Sequence, residues 1–210
     1  MGLSVLVAAV LVFHAQFIHT QSVQLMWFIP VVIIALGYTM AVIPTKDGAA
    51  RLRDVPYLKV FLIVGVVTYV TTLLPLLYTT NYGHFGSANL TLIVLGRVLF
   101  LFAITLPFDI RDLNFDKQTN LKTIPGKFGV DKTRFISVSL ISVFIITECA
   151  RYIFYSGQLT VFLALLVSGI IAAGFILKAR PSGSEYFYSL GLEGTMIIQT
   201  FLVYAAMNLS

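Results

Sequence analysis

Along the 210-residue chain, apolar residues gather into seven runs separated by short polar breaks. The runs cover roughly 2–20, 24–43, 58–78, 89–108, 135–151, 158–177 and 186–207. About 20 helical residues rise about 30 Å, the thickness of a bilayer's hydrocarbon core, so each run is long enough or nearly long enough to cross. The runs are too uniformly apolar for barrel strands, which alternate. The breaks hold the turn formers: Pro44, Gly48, the polar and glycine-rich run from Asn81 to Ser87, Gly157, and Pro181-Ser182-Gly183-Ser184. The pattern predicts an all-α polytopic bundle of seven transmembrane helices, a single integral membrane domain over 1–210.

Composition excludes a soluble alternative. Only 11% of residues are charged and 58% are apolar, whereas a soluble domain carries about 25% charged residues. Mean hydropathy is +0.92. One cysteine, Cys149, excludes an internal disulfide. The net charge of +5 matters less than its placement. Twelve of the fourteen basic residues fall on alternate loops: Lys46, Arg51, Arg53 and Lys59; Arg111, Lys117, Lys122, Lys127, Lys132 and Arg134; Lys178 and Arg180. The positive-inside rule then places these loops and the N-terminus in the cytoplasm and the C-terminus outside. Orientation and contact with anionic lipid account for most of this charge, and no nucleic acid partner is implied. Met1 leads straight into the first run without a basic segment, so a cleaved signal peptide is not predicted. Leu6 stands where a myristoylation signal needs Ser or Thr. A chain opening at a helix edge raises the expectation of further coding sequence upstream.

The most informative stretch is Leu106-Pro107-Phe108-Asp109-Ile110-Arg111-Asp112-Leu113-Asn114-Phe115-Asp116-Lys117, which holds three of the nine acidic residues. On a helix, Asp109, Asp112 and Asp116 fall within about 60° of one another. Three aligned like charges repel, and a divalent cation such as Mg2+ would remove the repulsion, typically using one or two carboxylates plus substrate phosphates. The plainer alternative is a solvated helix end with some pairing to Lys117. A basic turn follows, Leu121-Lys122-Thr123-Ile124-Pro125-Gly126-Lys127-Phe128-Gly129. Its lysines could hold phosphate oxygens as point charges, or serve orientation alone.

The block from Asp109 to Lys117, followed by Lys122-Thr123-Ile124-Pro125 and Phe128-Gly129, resembles the second aspartate-rich motif of the UbiA superfamily of intramembrane prenyltransferases. That motif reads D-x-x-D-x-x-x-D, then a basic and glycine turn before the next helix; Asn120 stands here where glycine is usual. The match is close over about 25 residues. It implies a UbiA-like helical fold and an enzyme that transfers an isoprenyl group from a prenyl diphosphate to an aromatic or other lipophilic acceptor. It implies Mg2+ held by Asp109, Asp112 and Asp116, with diphosphate contacted by Lys122 and Arg111. Arg51 and Arg53 sit on a loop similar to the second basic loop of the family and are further candidates for diphosphate contact. Such a site neutralises the departing diphosphate and stabilises the allylic cation on aromatic faces.

The family's first motif, approximately N-D-x-x-D-x-x-x-D, is missing: none of Asn81, Asn89, Asn114, Asn120 and Asn208 precedes an aspartate. The family has nine helices, and seven spans fit loss of the first two. Half of the expected metal site is therefore absent. Three readings stand: a truncated transferase, a non-catalytic relative binding isoprenoid or partner helices, and a short chain completed by a partner.

Weaker signals add little. Asp47-Gly48-Ala49-Ala50-Arg51 is one residue short of the opening of the CDP-alcohol phosphotransferase motif and lacks its later aspartates. His14, His19 and His84 have no metal-ligand spacing, and the last run has no lysine for a retinal Schiff base. Arg97 falls near the middle of the fourth run, where an unpaired charge costs several kcal/mol. Glu193 is its expected partner. Glu148 and Arg151, three apart, are expected to pair at the outer helix end.

Overall fold

A computed structural model describes residues 27–41, 43–45, 48–52, 55, 57–78, 87–119, 121–155 and 157–208. The described residues form helices and one small antiparallel ribbon, joined by short turns. Helix α1 (Ile29–Thr39) leads to strands β1 (Ile43–Thr45) and β2 (Gly48–Ala50), which pair with Ile43 opposite Ala50. Helix α2 (Leu58–Thr68) continues through a π-helical stretch (Tyr69–Leu73) into α3 (Leu74–Tyr78). Then come α4 (Ser87–Gln118), α5 (Ile124–Phe128), α6 (Val130–Phe154) and α7 (Leu159–Lys178). A second π-helical stretch (Phe187–Glu193) runs into α8 (Gly194–Asn208).

Five of these units are long and apolar enough to cross a membrane among the described residues: Leu58–Leu76, Ala88–Gln118, Val130–Phe154, Leu159–Lys178 and Phe187–Asn208. They match five of the seven predicted runs and mark a multi-pass integral membrane protein. The first run, 2–20, lies outside the described residues. Of the second, 24–43, residues 24–26 and 42 also lie outside the described residues, and the rest holds the 11-residue α1, about 16 Å long. Pro30 starts it in the first turn, and the backbone is extended at Met40, ahead of Pro44, where the ribbon begins.

Helix α4 is the spine. Phe100, Leu101, Ala103, Ile104, Leu106 and Ile110 are buried along it, and α2, α6 and α7 pack around it. Phe100 meets Phe144 of α6 with ring centroids 5.3 Å apart. Between α6 and α7 the approach is close because α7 buries small residues: Ala164, Ser168, Gly169 and Ala172. A Cβ on Gly169 would lie 3.4 Å from Ile145, so a larger side chain there would push the helices apart. The outer surface is apolar, with Ile146, Ile170, Leu190, Ile197 and Phe201 exposed. Polar groups sit inside instead: Thr133, Ser137, Ser168, Thr195 and Gln199 are buried. This polar-in, apolar-out arrangement suits a chain whose solvent is lipid.

Candidate functional site

The 32 residues of α4 rise about 48 Å, well past the ~30 Å of a hydrocarbon core. Pro107 does not stop the helix, which runs through it to Gln118. The last turns of α4, bearing the aspartates, therefore project beyond the apolar core at one end of the bundle. The three basic loops meet at that end. The Tyr57 N–H donates to the Lys122 carbonyl at 3.2 Å, and the Ser182 N–H donates to the Arg111 carbonyl at 3.2 Å. Arg134 Nε donates to the Ala179 carbonyl at 2.9 Å. Asn114 Nδ2 donates to Ser182 Oγ at 3.0 Å. The Tyr188 hydroxyl donates to the Arg180 carbonyl at 2.7 Å and accepts from the Arg180 N–H at 2.9 Å. Tyr57 holds a left-handed backbone (φ 63°) at the start of α2, a strained state for a non-glycine residue, secured by its bond to Lys122.

Asp109, Asp112 and Asp116 lie on one helix, as their spacing predicts, and they turn inward. Asp109 and Asp116 are each 3% exposed, beside buried Leu106, Ile110 and Leu113; the Asp112 side chain is 27% exposed. Their main counter-charge is Lys59, in the first turn of α2. Its Nζ lies 3.4 Å from Asp109 Oδ1 and 3.3 Å from Asp112 Oδ2. Arg111 forks the same Asp112, with Nε 2.8 Å from Oδ1 and Nη2 3.4 Å from Oδ2. The Arg111 guanidinium also lies over the Phe108 and Tyr188 rings, 5.3 and 5.5 Å from their centroids, which holds the planar fork in place. Among the described residues Asp116 Oδ2 is buried without a hydrogen-bond partner, and so is Thr123 Oγ1.

The sequence thus identified the carboxylates and Arg111 but read Lys59 only as an orientation charge. One signal marked it out: Lys59 is the one basic residue within the third apolar run. Lys122 enters the network through its backbone carbonyl, and its side chain is exposed. Arg51 is half-buried just before α2; Arg53 lies outside the described residues.

The donor set limits what cation could bind. Among the described residues no three His, Cys, Asp or Glu side chains converge as a metal-binding group, and the Lys59 ammonium stands between Asp109 and Asp112. What remains is the Asp116 oxygen that has no hydrogen-bond partner among the described residues; Asp112, one turn away, would have to share its oxygens with Arg111 and Lys59. Mg2+ needs no more than one or two carboxylates when phosphates and waters complete its shell. These residues therefore fit a cation that arrives with its own phosphate ligands, and they do not form a closed carboxylate cage. A cavity of about 550 Å³, lined by Tyr69, Leu73, Leu76, Leu90, Thr91, Val94, Leu95 and Val98, begins about 16 Å along α4 from Asp109. It does not open directly behind the aspartates.

A second polar level lies deeper in the bundle. Arg97 does not pair with Glu193. Its Nη1 donates to Gln199 Oε1 at 2.8 Å, and its Nε donates to Thr71 Oγ1 at 3.3 Å. Gln199 is six residues beyond Glu193, about 9 Å further along that helix. Glu193 stays near the aspartate end, where the charge acting on it is that of Arg111. Glu148 and Arg151 do pair, and Arg151 Nε also reaches Asn89 Oδ1 at 3.4 Å.

Comparison with protein-family models, with curated proteins and with solved structures finds no match to this chain.

Proposed function

We propose that this protein is a UbiA-type intramembrane prenyltransferase that takes a prenyl diphosphate at the aspartate end of α4, on the cytoplasmic side, and passes the isoprenyl group to a lipophilic acceptor. One observation carries the reading: three carboxylates turned inward onto Lys59 and Arg111, with one buried oxygen of Asp116 left without a partner among the described residues. The local formal charge is one negative in excess, and two organised cations face the same point. In this reading Asp112 and Asp116 hold Mg2+, and Asp109 holds Lys59 in place. When bound, the metal neutralises charge on the departing diphosphate. Lys59 and Arg111 present N–H donors to phosphate oxygens. Lys122 and Arg51 add positive charge on the flanking loops, and Arg53 is a further candidate by sequence. The apolar helices exclude water and hold the isoprenyl tail.

The absence of an N-D-x-x-D motif from the sequence, together with the Lys59 bridge, favours a second reading, a prenyl-diphosphate binder without turnover. Both are tested with the full chain in nanodiscs and farnesyl diphosphate as probe. Binding is expected with Mg2+ and is expected to weaken about tenfold or more in Asp112→Asn and Asp116→Asn, the scale of a lost charge-assisted contact. With a lipophilic phenol supplied as acceptor, Mg2+-dependent formation of prenylated phenol and diphosphate identifies the transferase, and binding without either product identifies the binder. Failure of the wild-type chain to bind, or equal binding by all three proteins, would overturn both.

A further inference from the structure

Arg97 is a charge within the apolar span that has no counter-ion among the described residues. It stands eight residues inside the fourth run and twelve residues before Asp109, about 12 and 18 Å from those levels. Seven of the nine acidic residues are described, and all have other surroundings. Asp109, Asp112 and Asp116 gather around Lys59, Glu185 and Glu193 lie near Arg111, Asp131 pairs with Arg134 and Glu148 pairs with Arg151. Glu148 does come close, since a Cβ on Gly96 would collide with its carboxylate. It approaches from α6 and is held by Arg151, while Arg97 reaches the other way, to Gln199 and Thr71. Residues 1–26 contain no Asp or Glu.

The neutral partners hold the guanidinium in a fixed pose. The Thr71 hydroxyl donates its own hydrogen to the Val67 carbonyl at 2.7 Å, which leaves a lone pair for Arg97 Nε. Gln199 Nε2 donates to Ser168 Oγ at 3.3 Å, which turns the amide oxygen toward Arg97 Nη1. Ser168 Oγ in turn donates to the Leu165 carbonyl at 2.8 Å. The units bearing Thr71, Arg97, Ser168 and Gln199 thus form one polar level. A guanidinium has five N–H donors. Two have acceptors here, and Nη2 has none among the described residues. The side chain is half-buried and so remains reachable.

We propose that Arg97 anchors a binding site for the carboxylate of a lipophilic organic acid. A charge at this depth is costly unless an anion joins it. Lipid phosphates lie at the membrane surface, so the anion must be carried on an apolar body that dissolves in the hydrocarbon. A planar carboxylate matches the open face of the guanidinium fork. Neither the residues nor the assay involve the aspartate end, so the outcome is independent of the prenyltransferase reading.

The test uses the full chain in nanodiscs of neutral lipid, with palmitate as probe and methyl palmitate as the uncharged control. Palmitate is expected to raise the melting temperature in a saturable way, and the ester is not. Arg97→Gln should weaken palmitate binding at least tenfold. Gln199→Glu places a carboxylate where an oxygen already lies 2.8 Å from the guanidinium. That variant should melt higher than wild type without ligand and lose its response to palmitate, a result readable even if Arg97→Gln fails to fold. Equal effects of acid and ester would overturn the proposal. So would an undiminished palmitate response in Gln199→Glu, or displacement of palmitate by chloride.

Discussion

Replacing Lys59 by methionine tests how the aspartate end is held together. Methionine keeps the length and apolar stem of lysine but removes the ammonium that lies within 3.4 Å of Asp109 and 3.3 Å of Asp112. The two carboxylates then fare differently. Asp112 is 27% exposed and keeps the Arg111 fork. The Asp109 side chain is 4% exposed, and Lys59 is its one ion-pair partner among the described residues. Removing one member of a buried pair costs about 3–5 kcal/mol, because the other charge is left behind. The Lys59 side chain is 22% exposed, so water can partly replace it, and the lower figure, about 3 kcal/mol, is expected. Asp109→Asn alone should cost less, because lysine can reorient toward Asp112. The double variant, Lys59→Met with Asp109→Asn, removes both charges and should recover about 2 kcal/mol of the single-variant loss. Reversible unfolding in mixed micelles, read by helical circular dichroism, measures all three. If the double variant is as unstable as Lys59→Met, the two residues are not coupled and the bridge is not what holds α2 to α4.

Two further substitutions separate strong contacts from decorative ones. Arg134 pairs with Asp131, whose side chain is 93% exposed, and also donates to the Ala179 carbonyl; Asp131→Ala should cost under about 0.5 kcal/mol, whereas Arg134→Ala should cost about 1.5–3 kcal/mol in the same unfolding assay. Gly96→Ala should cost about 1–3 kcal/mol by overpacking against Glu148, and much of that loss should disappear in a Glu148→Ala background, measured by thermal melting against each single variant.

Much of the architecture was legible because lipid imposes a simple rule. A run of about 20 uniformly apolar residues must become a helix, since the one other structure that satisfies its backbone within hydrocarbon, a closed barrel, needs alternating strands. Five runs follow it. In the run at 24–43 the described helix covers Ile29–Thr39, and the backbone turns extended at Met40 ahead of the ribbon at Ile43–Thr45, a break that hydropathy does not register. The aspartate stripe was legible for a related reason, since its i, i+3, i+7 spacing has one meaning on a helix. Its counter-charge was not. Like charges on one stripe require a cation, but spacing along one helix does not say whether that cation is a metal or a lysine from a neighbour. Lys59 lies fifty residues from Asp109, and only the packing of α2 on α4 brings them together. Arg97 shows the same limit. Depth was correctly read as demanding a partner, and the search among charged residues pointed to Glu193, whereas two neutral side chains, Gln199 and Thr71, receive its hydrogen bonds.

Thr71 shows how the fold makes room for this deeper level. Buried positions along this helix are Val60, Val64, Val67, Thr68, Val70 and Leu74, the ordinary three- and four-residue spacing of a core-facing stripe. The helix is π-helical from Tyr69 to Leu73, a form that is rare and often found at functional positions. Thr71 lies within that stretch, off the buried line, and its hydroxyl meets Arg97. A π turn interrupts the regular hydrogen-bond ladder, so it persists where something outside the helix favours it. Thr71, inside that stretch, gives Arg97 Nε an acceptor at 3.3 Å beside the one that Gln199 gives Nη1 at 2.8 Å, so α2 and the last span close on the α4 charge from two sides.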